Sequence, residues 1–332
     1  MDKHYEVTPR TILFTLAVLL GIWVLFQIRL VVVALFIALI LSLALDPLVK
    51  KLKGWRIPRP LGVFLVFFVF LAAGIGLLAY GFTPLINQTG KFLINLPKFL
   101  EPVLERLGPM PFAKGLQEQL VSQATILSAN ILTIAGAIVS NILILLTLLV
   151  FIFYFLLDWE NIKERFIGMM DRRAQVRTQR IIDLMEQQLG GWLRAQVLLM
   201  IIVGVLSYLG LSALGVEYAL PLAVIAGLFE VIPTIGPIIA AIPALLVGFG
   251  TSVWLGVWIL VLYIIIQQLE NNLIVPRIMG RAVGLSPLTA LIILFVGGVL
   301  YGVVGLLLAI PVTIVSLILV KDLMDWGSVR RK

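Results

Sequence analysis

Cysteine is absent from the 332 residues, and histidine occurs once, at His4. The first absence excludes disulfides, a thiol nucleophile and a thiolate metal site. The second leaves no histidine in any apolar segment for an intramembrane zinc protease. No GxxxxGK[ST] loop is present, so the chain holds no nucleotide-driven motor, and no GxSxG elbow is present either. Charge is scarce as well. Charged residues make up 13% of the chain and hydrophobic residues 61%, with a mean hydropathy of +1.12. A soluble domain is about half apolar and about a quarter charged.

What the sequence does have is a succession of apolar runs, several approaching the roughly 20 residues that cross a hydrocarbon core of about 30 Å. The runs are continuous rather than short and alternating, which excludes a transmembrane β-barrel. The expected fold is all-α: a polytopic helical integral membrane protein of about eight membrane segments, two of them broken or re-entrant helical hairpins. The net charge of +8 is read as the Lys and Arg enrichment of cytoplasmic loops, not as a nucleic-acid surface. No cofactor and no metal site is expected. The first apolar run lacks a small-residue cleavage site, so no cleavable signal peptide is expected.

Residues 1–82 read as an N-terminal membrane region of three spans, at 11–27, 30–46 and 61–82, with a turn near Arg29. Between the second and third, Lys50, Lys51, Lys53, Arg56 and Arg59 outweigh Asp46, which places this loop and the N-terminus on the cytoplasmic side. Residues 83–136 carry leucines at helical spacing, interrupted at Gly108-Pro109-Met110-Pro111, and read as extracytoplasmic amphipathic helices. They either pack on the spans or a neighbouring subunit, or recruit substrate. A fourth span covers 137–158. Residues 159–194, with Lys163, Arg165, Arg172, Arg173, Arg177, Arg180 and Arg194, read as a cytoplasmic amphipathic helix on the membrane surface or a docking site. Residues 195–332 form a C-terminal membrane region that begins with a span at 195–214.

Two runs in that region have awkward lengths. As straight helices, 219–249 would extend about 46 Å and 287–320 about 51 Å, too long for one upright crossing and too short for two. Both hold breakers: Pro233, Gly236 and Pro237 in the first; Gly297-Gly298, Gly302, Gly305 and Pro311 in the second. Each is either a kinked span or a hairpin that returns to its own side. Arg277 and Arg281 in the intervening loop favour hairpins with a cytoplasmic loop and C-terminus. Both runs contain Ala-Ile-Pro, at 241–243 and 309–311, a hint of an internal repeat. Broken helices at matching positions of two halves point to a transport site.

Glu230 lies about 17 Å along a helix beginning at Ala219, near the bilayer midplane. An acid there costs about 2.5–3.5 kcal/mol on insertion scales and normally faces a protein interior or a wet cavity. Pro233 and Pro237 remove backbone donors and would leave loose carbonyls one turn back. Unwound backbone at that depth survives only where it is buried or lines a cavity. Glu230, Pro233, Gly236 and Pro237 thus outline a polar niche for a cation, a proton or a polyhydroxylated solute. The alternative is a structural carboxylate, paired with an arginine or capping a broken helix. A second polar group follows: Gln267, Gln268, Glu270, Asn271 and Asn272 either contact substrate or form a hydrated helix end. Pro276, Gly284 and Pro287, with Gly302, Gly305 and Pro311, read as hinges or breaks.

These motifs resemble the autoinducer-2 exporter family. The resemblance rests on Phe229-Glu230-Val231-Ile232-Pro233-Thr234-Ile235-Gly236-Pro237, Glu270 to Pro276, Gly284-Leu285-Ser286-Pro287-Leu288, Gly302-Val303-Val304-Gly305 and Ala309-Ile310-Pro311. It covers nearly the whole chain and is most specific after Gln188. It implies a secondary transporter of the bacterial cytoplasmic membrane, not an enzyme, and a homo-oligomer for which a pentameric ring is one form. Members are associated with export of the furanone signal autoinducer-2, and others resemble Na⁺(Li⁺)/H⁺ antiporters. The expected partners are therefore the lipid bilayer and a small polar solute, monovalent cation or proton. A non-transporting membrane scaffold is the reading from another class.

Overall fold

The computed structural model describes residues 27–76, 142–233, 235–278 and 287–329 continuously, with single residues described between 16 and 24 and between 88 and 102. Helices α1 (Arg29–Gly54), α2 (Arg59–Gly76), α3 (Ile142–Gly168) and α4 (Arg172–Ala213) come first. Then follow α5 (Ala219–Phe229), α6 (Ile235–Thr251) and α7 (Val253–Leu269). A π-helical turn, Glu270–Ile274, joins α7 to the short α8 (Val275–Ile278), and α9 spans Pro287–Val329. No strand occurs among the described residues. Among the described residues, five helices are long and apolar enough to cross a membrane. Their large apolar side chains point outward, with Leu30, Trp254 and Phe295 each more than 70% exposed. This inside-out surface is that of an all-helical, multi-pass membrane protein.

The expected turn near Arg29 is a bend instead. Ile28 leaves helical angles, yet Ile28 N–H donates to Val24 and Val32 N–H to Ile28, so the helical ladder continues on both sides. Nor do residues 159–194 form a separate surface helix. The 42 residues of α4 extend about 63 Å, twice the hydrocarbon thickness, so its charged first half projects beside the prolonged end of α3. An ion network ties these projections together. Lys163 Nζ lies 2.9 Å from Glu160, 3.0 Å from Glu186 and 3.3 Å from Asp183, while Lys50 holds Asp46 at 2.7 Å. The segment 83–136 lies mostly outside the described residues.

Apolar packing among the described residues falls into four clusters. Ala38 and Val49 of α1, Val63 and Phe67 of α2, and Ile152 and Leu156 of α3 make one. The other three each include α4, two of them with the first awkward run and one with the second, and both runs are hairpins. Ala219 and Leu222 at the start of α5 share a cluster with Ala244 and Val247 near the end of α6, and Ala226 packs with Ala240. That antiparallel register makes α5 and α6 the arms of hairpin 1, with Glu230 to Pro233 at its tip. In α9, Tyr301 and Gly302 leave helical angles, and Gly302 takes a φ of 59° that favours glycine. A Cβ on Gly297 would sit 2.5 Å from the Gly305 carbonyl oxygen and 3.1 Å from the Ala309 Cβ. A merely kinked helix would keep residues 297 and 309 about 18 Å apart. Arms 287–300 and 303–329 therefore form hairpin 2.

The hairpins point in opposite directions. Hairpin 1 opens beside Leu211 and Tyr218 and reaches Gln196 with its tip. In hairpin 2, Ile310, Ile314 and Ile318 pack on Ile40, Leu43, Leu189 and Trp192, whereas the tip residue Tyr301 shares a cleft with Arg29. Since α1 and α4 run antiparallel, with Arg194 donating to the Leu43 carbonyl, the two tips face opposite ends of the bundle. Both Ala-Ile-Pro triplets fall in a returning arm, as a repeated hairpin unit requires.

Candidate functional site

Hairpin 1 ends its first arm at Phe229 because Pro233 cannot donate to the Phe229 carbonyl. The tip is then closed by short turns: Val231 N–H donates to Leu228, Ile232 to Phe229, Ile235 to Pro233 and Gly236 to Ile232. Any side chain at Gly236 would collide with the Phe229 carbonyl oxygen, which is why glycine stands there. Pro237 falls in the first turn of α6, where no backbone donor is needed. The carbonyls expected to hang loose at Phe229 and Pro233 are thus occupied by Ile232 and Ile235.

Glu230 caps α5 and is 1% exposed. Its backbone carbonyl accepts from Gln196 Nε2 at 2.6 Å, which ties the tip to α4. Its side chain lies within hydrogen-bonding reach of the Glu270 carboxyl. Glu270, 5% exposed, opens the π-helical turn and accepts from Gln267 Nε2 at 3.2 Å. The turn forms where Val275 N–H donates five residues back, to the Glu270 carbonyl, just before Pro276. Such turns are frequent at functional sites. Among the described residues, neither carboxylate has a lysine or arginine at salt-bridge distance. The alternative of an arginine-paired structural acid finds no support there. Glu230 Oε2 and Gln196 Oε1 are buried without hydrogen-bond partners.

Electrostatics limit what this pair can be. Two ionised carboxylates about 4 Å apart repel by about 4 kcal/mol at an effective dielectric near 20. With no base beside them among the described residues, that repulsion is relieved by a shared proton or a bound cation. The arrangement can therefore exchange a proton or a monovalent cation with whatever reaches the tip.

The second polar group expected from the sequence divides. Gln267 and Glu270 join Glu230, whereas Gln268, Asn271 and Asn272 are exposed, and Asn272 Nδ2 donates to Gln268 at 3.1 Å. Pro276 is exposed in α8, Pro287 starts α9, and Pro311 is buried in the returning arm of hairpin 2. Gly302 and Gly305 shape the hairpin 2 tip. Gly284 lies outside the described residues. The two tips, expected to share one pathway, are not brought together by the described contacts. Hairpin 2 instead borders a cleft of about 650 Å³ with α1, lined by Arg29, Phe36, Val296, Leu300 and Tyr301 among others, and no carboxylate among the described residues lines it. Gln196 was not expected. Its signal was a lone amide two residues after Arg194, inside an otherwise apolar run.

Comparison with known proteins gives a consistent result. The profile of the family described as AI-2E family transporter matches residues 12–325. A Bacillus subtilis (strain 168) relative named "Putative transport protein YrrI" is 31% identical over 326 residues, covering 90% of this chain and 92% of its own. The "AI-2 transport protein TqsA" of Escherichia coli (strain K12) is 31% identical over 296 residues, covering 86% and 84%.

Proposed function

This chain belongs to the AI-2E family of transporters, and we propose that it works as a secondary exporter of a small polar solute, with the Glu230–Glu270 pair as its coupling site. The observation that carries this reading is the contact of two buried acids, without a base among the described residues, at the tip of a re-entrant hairpin. Placing such a pair in a membrane is costly, and its exchangeable proton or cation gives that cost a use. The printed name of the TqsA relative supports autoinducer-2 as the first solute to test. In this reading Gln267 and Gln196 position the acids, and Gly302, Gly305, Pro276 and Pro311 act as hinges.

The charged ends of α3 and α4 face the cytoplasm, by the enrichment of Lys and Arg there, and the membrane is the bacterial cytoplasmic one. A homo-oligomer, with a pentameric ring as one form, belongs to the same proposal. The acid pair equally supports a Na⁺(Li⁺)/H⁺ antiporter. Purified protein in liposomes separates the readings, with a panel of furanone signals, Na⁺ and Li⁺, with and without a pH gradient. Solute flux driven by the gradient supports export, and cation-stimulated proton release supports the antiporter. Flux of nothing supports a scaffold and contradicts both.

A further inference from the structure

The seam between the acid pair and the mouth of hairpin 1 is close-packed and apolar. Val203, Ala226, Ala240 and Ile266 fill it, and Gly204 and Gly227 bring the backbones of α4 and α5 into contact. Glu230 lies about 16 Å along α5 from the mouth at Ala219. An ion or solute held by Glu230 and Glu270 has no route to the mouth through this packing. Presenting the acids on that side therefore requires hairpin 1 and its neighbours to move, as alternating access does in other transporters with broken helices.

A restraint on that movement sits at the mouth. Phe92, Asn95 and Phe99 are helical residues of the chain between α2 and α3, and at this spacing they share one helical face. Phe92 is 3% exposed and belongs to one cluster with Leu211 of α4, Tyr218, Leu222 of α5, Val247 of α6 and Ile259 of α7. The Tyr218 ring is 5.6 Å from that of Phe92 and 6.0 Å, edge-on, from that of Phe99. Its hydroxyl accepts from Asn95 Nδ2 at 3.1 Å. A Cβ on Gly250, near the end of α6, would sit 2.5 Å from the Phe99 Cα. Since Tyr218 caps the start of α5, the same face reaches both arms of hairpin 1 at their open end. By sequence these residues belong with α2 and α3, whose core is separate, so the contact ties one part of the bundle to the other. Aromatic pairs and a single neutral hydrogen bond are individually weak, of a strength that a conformational equilibrium can break.

We propose that Phe92, Asn95 and Phe99 form a gate at the mouth of hairpin 1: clamped on Tyr218 and Gly250, they hold the acids away from that side of the membrane, and their release opens access to it. With the charged ends of α3 and α4 in the cytoplasm, this is the outer gate. The inference rests on reading the acid pair as a transport site. The chain contains no cysteine, so a paired-cysteine lock needs no background removal, and the unaltered protein is the oxidant control. In Phe99→Cys/Gly250→Cys the two Cβ positions lie 2.6 Å apart, and a shift of about 1 Å brings them to disulfide geometry. The variant is reconstituted in liposomes, oxidised with diamide and reduced again with dithiothreitol, with crosslinking read from gel mobility. Flux of furanone signals, Na⁺ and Li⁺ is recorded in each form, together with amide hydrogen exchange over 214–222.

The expected result is a flux at least tenfold lower in the oxidised form, restored by reductant, with exchange at the mouth slowed severalfold by the lock. Equal flux and equal exchange in the two forms mean a fixed fastening and overturn the gate. Should this pair not fold or not crosslink, Asn95→Cys/Tyr218→Cys bridged by a short bis-methanethiosulfonate makes the same comparison with the same two outcomes. Flux by the unaltered protein separates the two readings. Normal flux with no effect of the lock removes this inference alone. Exchange slowed by the lock in a protein that transports nothing keeps the moving gate and removes the transport reading.

Discussion

Gly236→Ala tests the closed tip of hairpin 1 with little else changed. The new methyl carbon would collide with the Phe229 carbonyl oxygen and lie 2.6 Å from the Phe229 carbonyl carbon. Carbon atoms in contact sit about 3.5–4.0 Å apart, so the backbone of the tip must open by about 1 Å. Overpacking typically costs about 1–3 kcal/mol. Here the obstacle is main chain, which cannot rotate aside, so the upper end, about 3 kcal/mol, is expected. Gly168→Ala is the matched control: it ends α3 with nothing within 4 Å, and alanine there changes stability by less than about 1 kcal/mol. Thermal unfolding in detergent, followed by tryptophan fluorescence, should show a clear drop in midpoint for Gly236→Ala and almost none for Gly168→Ala. Coincident melts would mean that the tip does not close Phe229 onto Gly236, and the setting of Glu230 would have to be redrawn.

Other outcomes follow from the same geometry. A Gly297→Cys/Ala309→Cys pair should oxidise readily to a disulfide, since the two Cβ positions are close in hairpin 2, whereas a straight helix would hold them about 18 Å apart; gel mobility with and without reductant reads the result. Gln196→Leu removes the tie to the Glu230 carbonyl but also an orphaned oxygen, so stability should change by about 1 kcal/mol or less while liposome flux falls severalfold. Asn271→Ala and Asn272→Ala should keep flux within about twofold of the parent because both side chains point away from the acids, whereas Glu270→Ala should lower it at least tenfold. Lys163→Met leaves Glu160, Asp183 and Glu186 facing one another and should cost about 2 kcal/mol in the same melts, less in high salt.

Much of this architecture could be read from helix arithmetic. Runs of 219–249 and 287–320 are each too long for one crossing, and their prolines and glycines mark where they fold back. Glu230 stood out because an acid at that depth has no bland neighbour in an apolar run. The polar cluster after Gln267 was harder. A run of amides at a helix end can serve any face, and the π-helical turn at Glu270 shifts the azimuth of every residue after it, carrying Asn271 and Asn272 outward. Gln196 was missed because its proximity to Arg194 suggests a helix entering water, whereas α4 continues well beyond the bilayer in that direction. The same charges suggest a separate helix over 159–194: charge marks the membrane boundary, but it does not end a helix.

The most direct measurement is proton movement across liposomes carrying the intact protein, recorded with an internal pH dye while solute or Na⁺ is added outside, for the parent chain and for Glu230→Gln. The amide keeps the size of the side chain but can neither release a proton nor hold a cation by charge. The account predicts solute- or cation-linked proton flux in the parent and its loss in Glu230→Gln, with both proteins equally folded. Undiminished, equally pH-sensitive flux from Glu230→Gln would contradict it.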